Sequence, residues 1–343
     1  MSDKRKKWLL EHQLFMVVGL AALAIALVAI RVNLRFWSLD TVGSDTYYSW
    51  VEGDRILRGM NPYERILHGG MDENNKYSTY FPLFYEASAF TQYIGLEYYP
   101  KWIAFWRYVF MTCNISIGLT LFIVLYSRRT WAISLLALLF WYFNRWALNA
   151  SITVALDFIP IFFMILSLVL FKKYRKMSYL LYGISLATKQ IAIFLLPLYL
   201  IWEFQQSRSI KKTIGACLWI ASIPLFVSIP FLFWSTDGFL KSIIFSATRV
   251  AQNHFGADSI DVVLGLTGLP ARIPFLFVLL LAYLASLQRS VGRYGGAMLV
   301  MSVFIAFNSI LFTHYPVWLM SLIPLAVNEW VNSANAHPEL YVG

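Results

Sequence analysis

Apolar residues fall along this chain in long blocks separated by short polar clusters. FMVVGLAALAIALVAI from Phe15 and FIPIFFMILSLVLF from Phe158 belong to runs of this kind. A helix needs roughly 20 apolar residues to cross the ~30 Å hydrocarbon core of a bilayer. Of 343 residues, 59% are hydrophobic and 13% charged, more apolar surface than water tolerates. The pattern predicts an all-α, polytopic transmembrane protein, multi-pass in the cell membrane.

Charge then sets the direction of the path. The formal net charge is +10, but the basic residues sit in short clusters between apolar blocks: Lys4–Lys7, Arg128 with Arg129, Lys172–Lys176, Arg208–Lys212, and Arg289 with Arg293. Clusters so placed mark cytoplasmic loops, and no nucleic-acid partner is expected. With every cluster inside, both termini are cytoplasmic. Span one covers about Leu14–Phe36 and is expected to be a retained anchor. Further spans follow at about Trp102–Tyr126, Trp131–Phe143, Ile152–Phe171, Thr213–Trp234, Arg272–Leu287, Ala297–Phe312 and Tyr315–Trp330. The chain is thus one membrane domain: first span 13–37, outer loop 38–100, core spans 101–234, second outer loop 235–270 and C-terminal spans 271–331.

One stretch breaks the alternation. Residues 178–204 lie between two basic clusters and number 27, long for one crossing and short for two. A re-entrant pair of half-helices broken near Ala187–Gln190 resolves this, provided protein or a wet cavity satisfies the freed backbone. A single crossing with one cluster misassigned is the alternative. The expected total is about eight full spans plus the re-entrant pair. Cys113 and Cys217 both lie in apolar runs and read as small buried hydrophobes.

Candidate chemistry gathers after span one, in SDTYYSWVEGDRILRGMNPY from Ser44. Ser44 suits an N-cap, Gly59 a C′ position and Pro62 a stop, so a short helix is expected between them. One reading makes it an interfacial helix with aromatics toward lipid. The other holds Asp45 at the surface as a general base. Asp40 and Asp54 compete for that role, although Asp54 fits a local pair with Arg58 at i,i+4.

These residues resemble a known family. Asp45, the pair Tyr47 and Tyr48, and Ile56 through Gly59 to Asn61-Pro62-Tyr63 look like the signature of the GT-C membrane glycosyltransferases. The nearest likeness is to the mannosyltransferase-like group called glycosyltransferase family 87, or DUF2029. Tyr80-Phe81-Pro82-Leu83, Trp106-Arg107 and Gly183–Pro197 resemble further elements in the right order, with weaker echoes at Gln252-Asn253-His254 and His314-Tyr315. One departure is Asn149–Thr153, where the family carries a different polar cluster.

The resemblance implies a GT-C fold and an inverting transfer of a hexose, mannose first among candidates. The donor is a polyprenyl-phosphate-linked sugar, and the acceptor a hydroxyl of a glycolipid or glycan on the non-cytoplasmic face. Asp45 is then the catalytic base. Lys189 and Arg107 are candidates for the donor phosphate, because a leaving phosphate needs fixed positive charge where water is excluded. Tyr47, Tyr48, Tyr63, Tyr80, Gln190, Asn253, His254 and His314 are candidate substrate contacts. No metal or other cofactor is expected, since a monophosphate leaving group with a cationic clamp needs none. Membrane lipids are the remaining partners.

Other readings of these residues stand beside it. Lys189, costly in an apolar run, also fits snorkelling or a pair with Glu203. Arg107 also fits lipid headgroups, and His254 and His314 ordinary loop positions. Asp157 is expensive where it lies and should pair with a neighbouring span's cation. The rival function is a transporter or flippase for a lipid-linked saccharide, which wants ionisable residues along a path through the bilayer.

Overall fold

A computed structural model of the chain describes residues 3–69, 77–127, 130–248 and 258–336, and these contain helices and no strand. Helix α1 (Asp3–Arg35) shows how composition sets its faces. Val18, Ala22, Ala26 and Ala29 are buried, whereas Leu20, Leu23 and Leu27 are exposed. The small residues, at helical spacing, let α1 approach its neighbours, and the large ones project outward. Where lipid is the solvent, close packing and not apolarity decides which face turns in.

The chain next forms α2 (Asp45–Leu57) and α3 (Leu83–Tyr93). The Ser44 hydroxyl accepts from the Tyr47 N–H at 3.2 Å, which is the expected N-cap. At the other end Gly59 has φ +72°. The Gly59 N–H donates to the Ile56 carbonyl (3.0 Å) and the Met60 N–H to the Arg55 carbonyl (2.9 Å). That crossed pair is a Schellman ending, and it needs the left-handed residue that glycine supplies. Arg58 also donates to Asp54 at 3.0 Å. Gly53 lets the two helices meet, since a Cβ there would lie 2.5 Å from Ser88 Oγ.

The remaining helices pack around a shared apolar core. In order they are α4 (Tyr99–Leu125), α5 (Trp131–Phe143), α6 (Arg145–Ile152), α7 (Phe158–Leu170), α8 (Arg175–Thr188), α9 (Leu196–Ser207) and α10 (Ile210–Trp234). Then come α11 (Thr236–Thr248), α12 (Ile260–Val263), α13 (Leu269–Leu287), α14 (Arg293–Phe307), α15 (Pro316–Met320) and α16 (Ile323–Ala336). Small polar groups tie α7 to α8 and α9: Ser167 Oγ lies 2.7 Å from the Ser178 carbonyl and 2.7 Å from Tyr199 Oη.

Several expectations meet this architecture differently. The loop expected at Asn144–Ser151, between the spans Trp131–Phe143 and Ile152–Phe171, is instead helical from Arg145 to Ile152. Asn144 donates from its amide to the carbonyls of Phe140 and Trp141 and accepts through Oδ1 from Trp146 and Ala147. It closes α5 and opens α6, with a 41° bend between them. The last expected span is divided into α15 and α16. By length and composition, four stretches suffice to cross a membrane: His12–Ser38, Tyr99–Leu125, Ile210–Trp234 and Leu269–Leu287. The bent α5–α6 pair would make a fifth. Among the described residues, four to five therefore stand where the sequence path counts eight, because α7 and α14 span only 13 and 15 residues.

The break between α8 and α9 falls where length arithmetic places it. Lys189 is extended (φ −154°, ψ 125°), and a 3-10 segment, Gln190–Leu195, leads into α9. Tyr182 and Tyr199 stack across this break with centroids 4.2 Å apart, and the Tyr182 hydroxyl donates to the Ala192 carbonyl inside the 3-10 segment. The freed backbone is thus held by buried protein groups.

Candidate functional site

The break at Lys189 opens onto a cavity of about 230 Å³. Its lining joins the start of α2 (Ser44, Asp45, Thr46), the turn before α7 (Thr153, Asp157) and the segment before α15 (Phe312, Thr313, His314). Lys189 also lines it. Elements more than a hundred residues apart converge here, and one tether is local to the site: Thr46 donates to the Val154 carbonyl at 2.6 Å. Val154 has φ +49°, an uncommon conformation for a β-branched residue that turns the chain from α6 toward α7.

At the cavity floor lies a buried ion pair. Lys189 Nζ donates to both Asp157 oxygens, at 2.9 and 2.8 Å, and each side chain is 1% exposed. Trp318 Nε1 donates to Asp157 Oδ1 at 2.6 Å, and His314 Nε2 lies 3.7 Å from Oδ2. The ammonium also sits 5.1 Å from the Tyr80 ring centroid and 5.0 Å from that of Tyr315. Two charges this deep persist only when paired and hydrogen-bonded. Here the carboxylate meets three donor-bearing side chains and the ammonium two aromatic faces.

Tyr80 links this floor to Asp45. Its hydroxyl donates to Asp45 Oδ2 over a long 3.4 Å, while its ring faces Lys189. Burial, and next the Asp45 carboxylate, push the Tyr80 phenol well above its ordinary value. It therefore remains a proton-bearing donor throughout the neutral range. The Gln190 amide donates to the Thr79 carbonyl at 2.5 Å, fastening the chain beside Tyr80 to the break.

Of the residues singled out in the sequence, the cavity gathers Asp45, Lys189 and His314, with Tyr80 and Gln190 beside it. The others lie elsewhere. The Arg107 guanidinium donates to the carbonyls of Trp37 and Leu39, where it holds the chain leaving α1, and it lines a different cavity of about 20 Å³. Tyr63 is 0% exposed. Its hydroxyl donates to the Tyr80 carbonyl at 2.7 Å, and its ring packs on Phe231 and Phe239, so it offers no face to a ligand. Tyr47 packs edge-on against Tyr99 and Tyr48. Asn253 and His254 lie outside the described residues.

Sequence reasoning left Lys189's partner open and named Glu203. Glu203 instead takes the Tyr179 hydroxyl at 2.6 Å and Arg175 at 3.2 Å. Asp157 is the true partner; its one sequence signal, a carboxylate in an apolar run, called for a cation without saying which. Trp318 gave no signal at all. Among the described residues no group of three or more His, Cys, Asp or Glu is placed to hold a metal ion.

Comparison with protein-family models finds no match, and comparison with curated proteins finds none either. The functional reading accordingly rests on the residues and their arrangement.

Proposed function

We propose that the chain is an inverting membrane glycosyltransferase of GT-C type that moves a hexose, mannose first among candidates, from a polyprenyl-phosphate carrier to a glycolipid or glycan hydroxyl. In this reading the path has eight crossings, both termini are cytoplasmic, and α8 and α9 are re-entrant half-helices meeting at Lys189. The Asp45 cavity then faces the non-cytoplasmic side. The observation that carries the proposal is the meeting of Asp45, at the start of α2, with the buried Asp157–Lys189 pair in one cavity. A carboxylate able to take a proton and a lysine lining the same cavity support transfer from a phosphate.

The chemistry follows from those parts. Asp45 takes the proton of the acceptor hydroxyl as its oxygen bonds to the anomeric carbon from the face opposite the phosphate. The anomeric carbon–oxygen bond to the phosphate breaks, and the electron pair leaves with the prenyl phosphate. Tyr80, donating to Asp45, orients the carboxylate. Lys189 meets the leaving phosphate as half of a neutral pair, so its hold on the donor is weaker than that of an uncompensated lysine. His314, when protonated, adds the positive charge that Asp157 cancels.

The test is transfer of labelled sugar from a synthetic prenyl-phosphate donor by the detergent-purified chain, with a membrane extract as acceptor source. Transfer by the wild type, lost in Asp45→Asn and kept in Asp40→Asn and Asp54→Asn, is the expected result. The ion pair within the helical core also suits ion-coupled transport. Movement of a lipid-linked saccharide across vesicles, without any sugar transfer, would establish that second reading instead.

A further inference from the structure

A third cavity, of about 470 Å³, lies between the end of α2, the turn that follows it and the end of α10. Arg55, Asn61, Glu64, Arg65, His68 and Trp234 line it, and none of them lines the cavity at Asp45. The Schellman ending of α2 turns the chain back, and Asn61 joins Arg55 in the lining. Asn61 is 4% exposed. Its Oδ1 accepts from the Tyr63 N–H at 2.9 Å, which fixes the amide, and its Nδ2 is buried with no hydrogen-bond partner.

Charge in this cavity is already answered. Arg65 donates to Glu52 Oε1 at 2.8 Å, and Arg55 Nε lies 3.6 Å from Oε2, beyond hydrogen-bond reach. Arg55 Nε, like Asn61 Nδ2, is a buried donor without a hydrogen bond. Glu64 supplies a carboxylate to the wall, and Glu52 is not part of the lining. With both arginines turned to Glu52, and Glu64 in the lining, a free oxyanion meets carboxylate as well as guanidinium. What remains is a set of donors beside a carboxylate, with the Trp234 indole 44% exposed. A sugar ring complements that set. Its hydroxyls both accept and donate, and its C–H face lies against an aromatic ring.

We infer that this cavity is a saccharide-binding site that takes a neutral sugar residue, apart from the cavity at Asp45. Hydroxyl oxygens accept from Asn61 Nδ2 and Arg55, a hydroxyl donates to Glu64, and the ring lies on Trp234. Should the proposed transfer also hold, the site would grip the acceptor glycan; that assignment alone rests on the transfer reading.

The test is binding, not turnover. Methyl mannoside, methyl glucoside and methyl galactoside, and their disaccharides, are titrated against the full detergent-purified chain by saturation-transfer NMR. Binding in the millimolar range is expected. Trp234→Ala and Asn61→Asp should each weaken it about ten-fold. Asn61→Asp keeps the acceptor for Tyr63 and replaces the donor with a carboxylate oxygen at a buried position, so its thermal midpoint is measured alongside. Trp234→Ala alters a partly exposed position and is the variant that tests the site independently of that charge. Arg58→Gln, at the C-terminal cap of α2 but outside the cavity lining, should bind as the wild type does. Asp45→Asn should keep the Trp234-dependent binding, so failure of the transfer reading leaves a distinct signature. Absence of saccharide binding in the wild type overturns the inference, as does wild-type affinity in both Trp234→Ala and Asn61→Asp. Tighter binding of inorganic phosphate than of any sugar, lost in Arg55→Gln, also overturns it, in favour of an oxyanion.

Discussion

The two cavities answer buried charge in opposite ways. Beneath Asp45, one lysine and one aspartate are matched, and Trp318 and two tyrosine rings complete the shell. Beside Trp234, two arginines share one buried glutamate, and donors are left over. A completed network is rigid and costly to break; an incomplete one has hydrogen bonds still to give. The first therefore suits a preorganised reaction floor, and the second suits recognition.

The contrast is broken most severely by removing half of the deep pair. Asp157→Ala or Lys189→Ala leaves one charge buried alone and should cost about 3–5 kcal/mol, read as a large fall in thermal midpoint in detergent. The double change Asp157→Asn with Lys189→Met should recover much of that loss, since no charge is then stranded. Equal stability of the singles and the double would mean that the pair is solvated and the cavity open to bulk water.

The shallow network should respond to pH instead. Burial raises the Glu52 carboxyl from 4.5 to about 7 in the folded protein. Its folded value lies above its unfolded one, so its stabilisation is complete below the unfolded value and lost as pH rises through the folded one. Stability should therefore fall between about pH 4.5 and 7, by up to about 3 kcal/mol at 1.36 kcal/mol per unit. Glu52→Gln should flatten most of that slope. Glu86, also raised to about 7 by burial but only half-buried, adds a smaller slope of its own over the same range. An unchanged slope in Glu52→Gln would place the titrating group elsewhere.

A smaller effect belongs to the turn that shapes the shallow cavity. Gly59→Ala forces a side chain into the left-handed region and should cost roughly 1–2 kcal/mol, measured by thermal unfolding. Smaller still, loss of the exposed pair in Arg58→Gln should cost no more than a few tenths of a kcal/mol. If Arg58→Gln proved as damaging as Gly59→Ala, the helix end would depend on the ion pair and not on backbone geometry.

What could be read from the sequence was local or arithmetic. The Ser44 cap, the Gly59 ending and the Asp54–Arg58 pair each depend on residues a few positions apart. The break at Lys189 came from comparing a length with a membrane thickness. Contacts set by assembly could not be read this way. Lys189 pairs with Asp157 across 32 positions and not with Glu203, which Arg175 and Tyr179 occupy. Asn144 looks like a turn residue because its role in closing one helix and opening the next depends on a bend. Tyr63 belongs to a motif that suggested substrate contact, yet helices α10 and α11 enclose it. A motif names residues, but burial decides which of them a ligand can reach.

The sidedness of the α2–α3 segment is tested separately, with Arg58→Cys in a background lacking Cys113 and Cys217. Labelling by an impermeant maleimide from the non-cytoplasmic side is expected, and labelling only from the cytoplasmic side would reverse the proposed path.

The central claim is that Asp45 accepts the acceptor's proton above the Asp157–Lys189 pair. Its most direct measurement is turnover and donor affinity of Asp45→Asn, determined together with a synthetic prenyl-phosphate sugar. The account predicts that turnover falls about 10²–10⁴-fold while donor affinity stays within about two-fold, because asparagine keeps the Tyr80 contact but cannot take the proton. Near-normal turnover in Asp45→Asn would contradict it.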